Sequence, residues 1–152
     1  MHPSRLLMAC SVLAPFIACG PARANEAPRQ PGLKSMVERY AAANGVPGSV
    51  GHAVVMLESR YRPHIVHAGN YGLMQIRYGT ARAMGYRGTP GGLLNAETNL
   101  HFGMKYLARG WRSSSGDLCR TIAHYQTGRS VTRVPAASLA YCARARKIMA
   151  SR

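Results

Sequence analysis

Acidic residues are scarce in this chain of 152 residues, which has five Asp and Glu against twenty Lys and Arg. The basic residues are spread along the sequence and form no block, and no aromatic residues alternate with them as in a nucleic-acid module. Such dispersed charge favours a solvated surface or contact with an extended anionic polymer. DNA and the bacterial cell wall, with its peptide carboxylates, are both polymers of this kind.

The sequence also lacks an apolar run long enough to cross a bilayer as a helix. The best candidate, Leu6–Cys19, follows Arg5 and precedes Ala22–Ala24, which has the small-x-small form of a cleavage site. We therefore predict that residues 1–24 are a cleaved export signal, which places the protein in the periplasm or cell envelope and away from DNA. A buried N-terminal helix and a lipoprotein anchored through Cys19 are the less favoured alternatives.

Cysteine is rare as well, with four residues in the whole chain. Two of them, Cys10 and Cys19, would leave with the signal. The remaining pair, Cys119 and Cys142, suggests one disulfide in an exported domain. It would close a loop of ~24 residues, worth about 3 kcal/mol of stability. Two buried thiols are the alternative.

What is present is helical periodicity, which predicts a mainly α single domain with little or no β-structure. Residues 25–32 are polar with two prolines and are expected to be a flexible lead-in to a domain over 33–150. Gly45 is the expected C′ residue of the first helix and Ser49 the N-cap of the second. Helices are predicted over residues 33–44, 50–60, 80–85, 96–111, 118–126 and 136–149. In the last of these, Leu139, Cys142 and Ile148 are expected to face inward.

Every acidic residue except Glu58 has an ordinary structural explanation. Glu26 lies in the lead-in, and Glu38 lies on the polar side of the first helix. Glu97 is expected in the first turn of the fourth helix, after the N-cap Asn95, where a negative charge is favourable. Asp117 is expected at the start of the fifth helix for the same reason.

Glu58 lies at the C-terminal end of an apolar helix that should be buried. A helix C-terminus disfavours negative charge, and apolar surroundings disfavour ionisation, so both effects raise the pKa of its carboxyl group. A raised pKa suits a general acid that works near neutral pH. The alternative is a side chain that reaches solvent beside Arg60 or Arg62.

Two other features leave alternatives open. His64 and His67 could form a metal pair, but no third ligand with suitable spacing is evident, so surface or supporting histidines are favoured and no metal is expected. Gln75, in an apolar run, is either a hydrogen-bonded core amide or a polar group facing a cleft.

Four short motifs occur in one order and spacing along the chain. They are Glu58-Ser59, Gly72–Ile76 with Thr80-Ala81, Asn99-Leu100 with Gly103 and Tyr106-Leu107, and Ala123–Gly128. Together they resemble the catalytic domain of the soluble lytic transglycosylase (SLT) family over residues 33–128. The resemblance implies a lysozyme-like fold.

The resemblance also implies roles for individual residues. Glu58 matches the single catalytic acid/base of the family, Met74 and Gln75 match a motif that lines the cleft, and Tyr125 matches a tyrosine close to the catalytic carboxyl group. Gln126 stands where the family has asparagine, and Val66 stands where it usually has serine. The expected substrate-binding residues are Ser59, Met74, Gln75, Tyr125 and Gln126.

Glycosidases that hydrolyse their substrate usually employ two carboxylates, and this chain offers one credible candidate. A single acid fits cleavage of the MurNAc–GlcNAc β-1,4 bond of peptidoglycan strands without water, leaving a 1,6-anhydro-MurNAc end, with no cofactor. A lysozyme-type hydrolase and a non-catalytic wall-binding module are the alternatives. General wall turnover and local opening of the wall for a secretion, pilus or conjugation apparatus are both compatible with the sequence.

Overall fold

The computed structural model describes residues 32–151, and the predicted signal and most of the lead-in lie outside this range. The described part is mainly helical. Its helices are α1 (Leu33–Ala43), α2 (Gly48–Ser59), α3 (Tyr78–Ala83), α4 (Ala96–Ser113), α5 (Leu118–Thr127) and α6 (Ala136–Ala150), with a 3-10 helix over Pro90–Leu94. No helix among these combines the length and apolar character needed to cross a membrane.

The core forms around α2, as the apolar sequence of that helix predicts. Its residues from Val50 to Val55 are buried, and it packs against α1 on one side and α6 on another. The longest helix, α4, packs against α1 and α5 and contributes Leu100, Met104 and Leu107 to the same core. Burial of these side chains is the main driving force that holds the helices together.

The helix caps follow the sequence signals with one exception, and α3 begins and ends two residues before its predicted range of 80–85. Asn95 and Asp117 are N-caps, as predicted, and their side chains accept hydrogen bonds from the Thr98 and Arg120 backbone N–H groups. Gly45 has a left-handed φ of 69° after α1, which confirms its role as C′ residue. The prediction that Ser49 caps α2 is wrong, because the helix begins two residues earlier than predicted, at Gly48, with Pro47 as its cap.

A small antiparallel sheet of three two-residue strands lies between α2 and α3. Its strands are β1 (Val66–His67), β2 (Asn70–Tyr71) and β3 (Ile76–Arg77). Val66 and His67 of β1 pair with Tyr71 and Asn70 of β2. The expectation of little β-structure is therefore confirmed, and the hairpin forms one wall of the cleft described below.

The predicted disulfide is present between Cys119 and Cys142, and it joins α5 to α6. The predicted orientation of α6 is only partly right. Cys142 is buried, but Leu139 is 49% exposed, and Tyr141 occupies the inward position instead. The cause is that α6 has alanines on its outer as well as its inner face, so apolar spacing alone did not define which side is buried.

Candidate active site

Glu58 lies in the last turn of α2, where the chain leaves the helix abruptly. Arg60 and Tyr61 both have left-handed backbone angles, with φ of 51° and 62°, which is uncommon for residues other than glycine. The Tyr61 hydroxyl hydrogen-bonds to Nδ1 of the buried His52, whose Nε2 lies 3.1 Å from the Glu38 carboxylate. These contacts hold the turn in place, so the position of Glu58 does not depend on the helix alone.

The Glu58 carboxyl group is half-buried and accepts one hydrogen bond, from the Tyr141 hydroxyl at 2.9 Å. Burial raises the pKa of Glu58 above its ordinary value, and the Tyr141 hydrogen bond offsets part of that effect by stabilising the ionised form. The direction agrees with the sequence prediction. A carboxyl group in this state can hold a proton at a pH where an exposed glutamate has lost it.

Tyr125 lies beside this carboxyl group but donates its own hydroxyl proton elsewhere, to the Met74 carbonyl oxygen at 2.6 Å. Burial and the charge of Glu58 raise the pKa of Tyr125 well above its usual range, and they do the same for the pKa of Tyr141. Both hydroxyls therefore stay protonated. Tyr141 acts as a donor to Glu58, while Tyr125 ties α5 to the segment that carries Gln75.

That segment, residues 72–75, is held by the completely buried side chain of Asn99 on α4. The Asn99 side chain accepts a hydrogen bond from the Met74 N–H at 2.8 Å and donates to the Tyr71 and Leu93 carbonyls at 2.7 and 2.8 Å. Gly72 is required here, since its φ is 69° and a Cβ atom would lie 2.5 Å from Asn99 Nδ2. Asn99 thus positions the backbone on which Gln75 stands.

Gln75 has a left-handed φ of 45° and lies in the cleft wall. Its Nε2 donates to the Gly72 carbonyl at 2.9 Å and more weakly to the Ile65 carbonyl at 3.3 Å. The sequence left open whether Gln75 is a hydrogen-bonded core amide or a polar group facing a cleft, and both are partly right. Its Nε2 bonds to backbone carbonyls on either side of the hairpin, and the residue also lines the cleft.

The cleft has a volume of about 820 Å³ and opens beside Glu58. Its wall combines residues of the hairpin, α3, α4 and α5. The lining residues are Glu58, Arg62, Ile65, Val66, His67, Asn70, Gln75, Ile76, Arg77, Thr80, Tyr106, Tyr125, Gln126, Thr127 and Gly128.

Two residues expected to bind substrate lie outside this wall. The Ser59 side chain is buried, and its hydroxyl donates to the Val55 carbonyl at 3.1 Å. Met74 is completely buried and packs so closely on Gly103 that a Cβ atom there would lie 2.5 Å from its sulfur. Both are structural supports in this arrangement. Gln126 lines the cleft as an exposed side chain.

No second carboxylate among residues 32–151 lines the cleft. Glu38 contacts His52, and Glu97 forms an exposed ion pair with Arg39 at 3.2 Å. Asp117 caps α5. The same part of the chain contains no cluster of three or more His, Cys, Asp or Glu residues that could hold a metal ion. The cleft wall formed by the described residues therefore offers one carboxyl group for proton transfer.

The sequence motifs do not indicate Tyr141, because it lies 83 residues from its partner Glu58. One signal could have found it. A Cys119–Cys142 bond brings the inner face of α6 against the core, and Tyr141 is the neighbour of Cys142. A large polar side chain at that position needs a hydrogen-bond partner when it is buried.

Replacing Tyr141 with Phe should raise the pKa of Glu58 further. The substitution removes the only hydrogen bond described to that carboxyl group, so burial acts without its offset. Carbon-13 NMR titration of the Glu58 carboxyl carbon measures this directly. Tyr106→Phe is the matched control, because Tyr106 also lines the cleft but donates to the His124 carbonyl. An unchanged or lowered pKa in Tyr141→Phe would contradict the assignment.

The chain is similar to a known protein family and to curated proteins of that family. A family model described as the transglycosylase SLT domain matches residues 35–139. The soluble lytic murein transglycosylase of Escherichia coli K12 is 32% identical over 101 residues, which are 61% of this chain and 16% of the relative. The protein of the same name from E. coli O157:H7 gives the same values. The chain therefore spans about a sixth of the length of these curated relatives.

Solved structures give the same result. The 70-kDa soluble lytic transglycosylase of E. coli superposes with a TM-score of 0.58 at 25% identity, over 75% of this chain and 19% of that one. A complex of the 70-kDa soluble lytic transglycosylase with bulgecin A gives 0.59 at 26% identity, over 76% and 20%. An inactive mutant of the lytic transglycosylase Slt from Pseudomonas aeruginosa, at 18% identity, shares the fold with a TM-score of 0.60 over 76% and 22%.

The predicted lysozyme-like fold is thus confirmed by structures as well as by helix order. Since the family match covers residues 35–139, well over half of the chain, and extends from α1 into α6, the chain belongs to the transglycosylase SLT domain family.

Proposed function

We propose that this chain is a lytic transglycosylase that cleaves the MurNAc–GlcNAc β-1,4 bond of peptidoglycan without water. The observation that carries the proposal is Glu58, the one carboxyl group of the described residues that lines the cleft, with a pKa raised by burial. The names of its relatives, soluble lytic murein transglycosylases, give the substrate class.

In the first half of the reaction Glu58 is the general acid. It donates its proton to the glycosidic oxygen of the leaving GlcNAc as the bond from that oxygen to C1 of MurNAc breaks. The raised pKa keeps that proton available before the substrate binds. The N-acetyl group of the same MurNAc assists at C1, which replaces the nucleophilic carboxylate of a retaining glycosidase.

In the second half Glu58, now ionised, is the general base. It accepts the proton of the MurNAc 6-hydroxyl as O6 bonds to C1 and the N-acetyl oxygen leaves C1, which closes the 1,6-anhydro ring and restores the protonated acid. The Tyr141 hydroxyl, 2.9 Å from Glu58 Oε1, stabilises the carboxylate between the two steps. One acid is sufficient because the proton that it gives to the leaving oxygen is replaced by the proton that it accepts from the 6-hydroxyl.

Gln75, Tyr125 and Gln126 complete the proposed site. They line the cleft from two sides, Gln75 from the hairpin and the other two from α5. The wall is stiff where it faces Glu58, because Tyr125 is tied to Met74 and Gln75 is tied to its own hairpin. A stiff wall holds the substrate in one defined position. Such positioning supplies much of the rate enhancement in enzyme active sites. The predicted signal places the reaction in the periplasm or cell envelope.

The mass of the product tests this proposal. Digestion of purified peptidoglycan should release muropeptides that are lighter by one water than those from a hydrolytic muramidase run in parallel. Their ends should also resist borohydride reduction, because an anhydro ring has no free reducing group. Products with reducing ends and the full hydrolytic mass would show a lysozyme-type hydrolase instead.

A further inference from the structure

A second cavity is bordered by α4 and by the C-terminal ends of α1 and α3. It has a volume of about 340 Å³ and has no lining residue in common with the cleft beside Glu58. Three of its lining residues are the cations Lys105, Arg109 and Arg112 of α4, so we call it the basic pocket. The other lining residues are Asn44, Ala83 and Met84.

The three cations lie on one face of α4, because they follow one another at intervals of four and three residues. Like charges at these intervals repel each other and destabilise a helix. No acidic residue of the described part of the chain lines the pocket to offset them. The basic pocket therefore concentrates positive charge that its own wall does not neutralise.

Structural roles account for two of the cations but not for Arg109. The Lys105 ammonium group donates a hydrogen bond to the carbonyl oxygen of Met84, the C-cap of α3, at 2.9 Å. Arg112 lies in the last turn of α4, where a positive charge is favourable. The exposed side chain of Arg109 forms no ion pair and no hydrogen bond with residues 32–151. An unpaired guanidinium in a concave site is available to an anion.

The number of cations in the basic pocket indicates which kind of anion fits it. A carboxylate has one charge and two oxygens, so a single guanidinium is enough to bind it. A phosphate monoester has a charge of about −1.5 to −2 near neutral pH and three acceptor oxygens. Two guanidinium groups and one ammonium group in one pocket match the phosphate monoester in both charge and number of oxygens.

The charge of Arg109 also reaches a residue that can report on the pocket. Burial and then the charge of Arg109 lower the pKa of His124, which lies on the neighbouring helix α5. An anion bound to Arg109 would cancel part of that charge. The pKa of His124 should therefore rise when the pocket is filled, which gives a signal specific to this place in the fold.

We propose that the basic pocket binds a phosphate monoester group while the cleft remains open. This inference goes beyond the proposed function and does not depend on it, because no residue of the proposed reaction lines the pocket. Soluble phosphate esters and certain lipid headgroups both carry this group, and the two sources are distinguished by experiment below.

Calorimetric titration of the full chain with glycerol 3-phosphate tests the proposal, with acetate at matched ionic strength as the carboxylate for comparison. We expect the phosphate monoester to bind at least about tenfold more tightly, because it contacts more than one cation. Arg109→Gln and Arg112→Gln should each weaken this binding about tenfold, since each removes a charge-assisted hydrogen bond. NMR titration should show a higher pKa of His124 in the presence of glycerol 3-phosphate.

Vesicles separate the two sources of the phosphate group. Phosphatidylcholine vesicles that contain phosphatidic acid present a phosphate monoester on a membrane surface. Cosedimentation with these vesicles that is lost in Arg109→Gln would assign the pocket to a lipid headgroup. Binding of glycerol 3-phosphate without cosedimentation would assign it to a soluble phosphate ester.

Arg146→Gln is the matched control, because it removes one positive charge from an exposed position of α6 outside both cavities. It should bind glycerol 3-phosphate as tightly as the unmodified chain. Equal affinity for acetate and glycerol 3-phosphate, or equal weakening in Arg146→Gln and Arg109→Gln, would overturn the assignment in favour of general charge attraction. Binding that leaves the pKa of His124 unchanged would also overturn it, because the ligand would then lie elsewhere on the surface.

Discussion

Replacing Glu58 with Gln is expected to slow strand cleavage by a factor on the order of 10² to 10⁴, the usual contribution of a general acid/base. The amide has nearly the same shape and can still accept the hydrogen bond from Tyr141, so the site stays assembled while proton transfer is lost. Release of soluble muropeptides from purified peptidoglycan measures the rate.

The same substitution should stabilise the folded protein at neutral pH. The pKa of Glu58 is higher in the folded than in the unfolded chain, so the folded state favours the protonated form. The free energy of unfolding therefore falls as the pH rises from the unfolded-state pKa through the folded-state pKa. A neutral amide removes this penalty. The melting temperature of Glu58→Gln should therefore exceed that of the unmodified chain at pH 7, and the difference should shrink at pH values well below 4.

Glu97→Gln is the matched control for both measurements. Glu97 forms an exposed ion pair with Arg39 at 3.2 Å and lies outside the cleft, so its loss should leave cleavage intact and change stability by about 1 kcal/mol or less. Retention of full activity by Glu58→Gln would show that Glu58 is not the catalyst, and a non-catalytic role in wall binding would then gain support.

Replacing Asn99 with Ala is expected to destabilise the fold by about 3–9 kcal/mol. The side chain is completely buried and satisfies three backbone groups, the Met74 N–H and the Tyr71 and Leu93 carbonyls. Alanine leaves all three unpaired, and each buried unsatisfied group costs about 1–3 kcal/mol. Since a domain of this size is typically stable by only about 5–15 kcal/mol, the variant should be close to unfolding. Urea denaturation followed by circular dichroism measures the change.

Asn95→Ala provides the comparison, because it removes the same side chain four residues earlier. Asn95 is exposed and makes one capping hydrogen bond, to the Thr98 N–H at 3.0 Å, so about 1 kcal/mol should be lost. If Asn99→Ala cost no more than this, Asn99 would not be holding residues 72–75. Any folded fraction of Asn99→Ala should also cleave more slowly, because the backbone under Gln75 has lost its support.

Much of the fold could be predicted from local signals. Asn95 and Asp117 cap their helices through their own side chains, and Gly45 and Gly128 end theirs with left-handed angles. Helix caps depend on residues three or four positions apart, so they can be read from the sequence directly. The error at Ser49 is also local, since the N-cap is Pro47, two residues before the predicted one.

The candidate site was predicted less completely, because its residues are distant in sequence. Glu58 could be singled out by eliminating the other acids, and Gln75 and Tyr125 by the resemblance. Ser59 and Met74 belong to the same motifs, yet their side chains point into the protein interior. A sequence motif contains both residues that support a site from the interior and residues that line it. Only their burial in the structure distinguishes the two groups.

The sequence by itself determined the helices, the pairing of Cys119 with Cys142, and a single acid at the end of a buried helix. Only the tertiary structure decided that Tyr141, and not Leu139, faces Glu58, and that Arg62 shares a cleft with Arg77. The physical reason is that a helix with apolar residues on both sides has no preferred rotation of its own. Its orientation is chosen by the neighbours against which it packs, and those neighbours lie far along the chain.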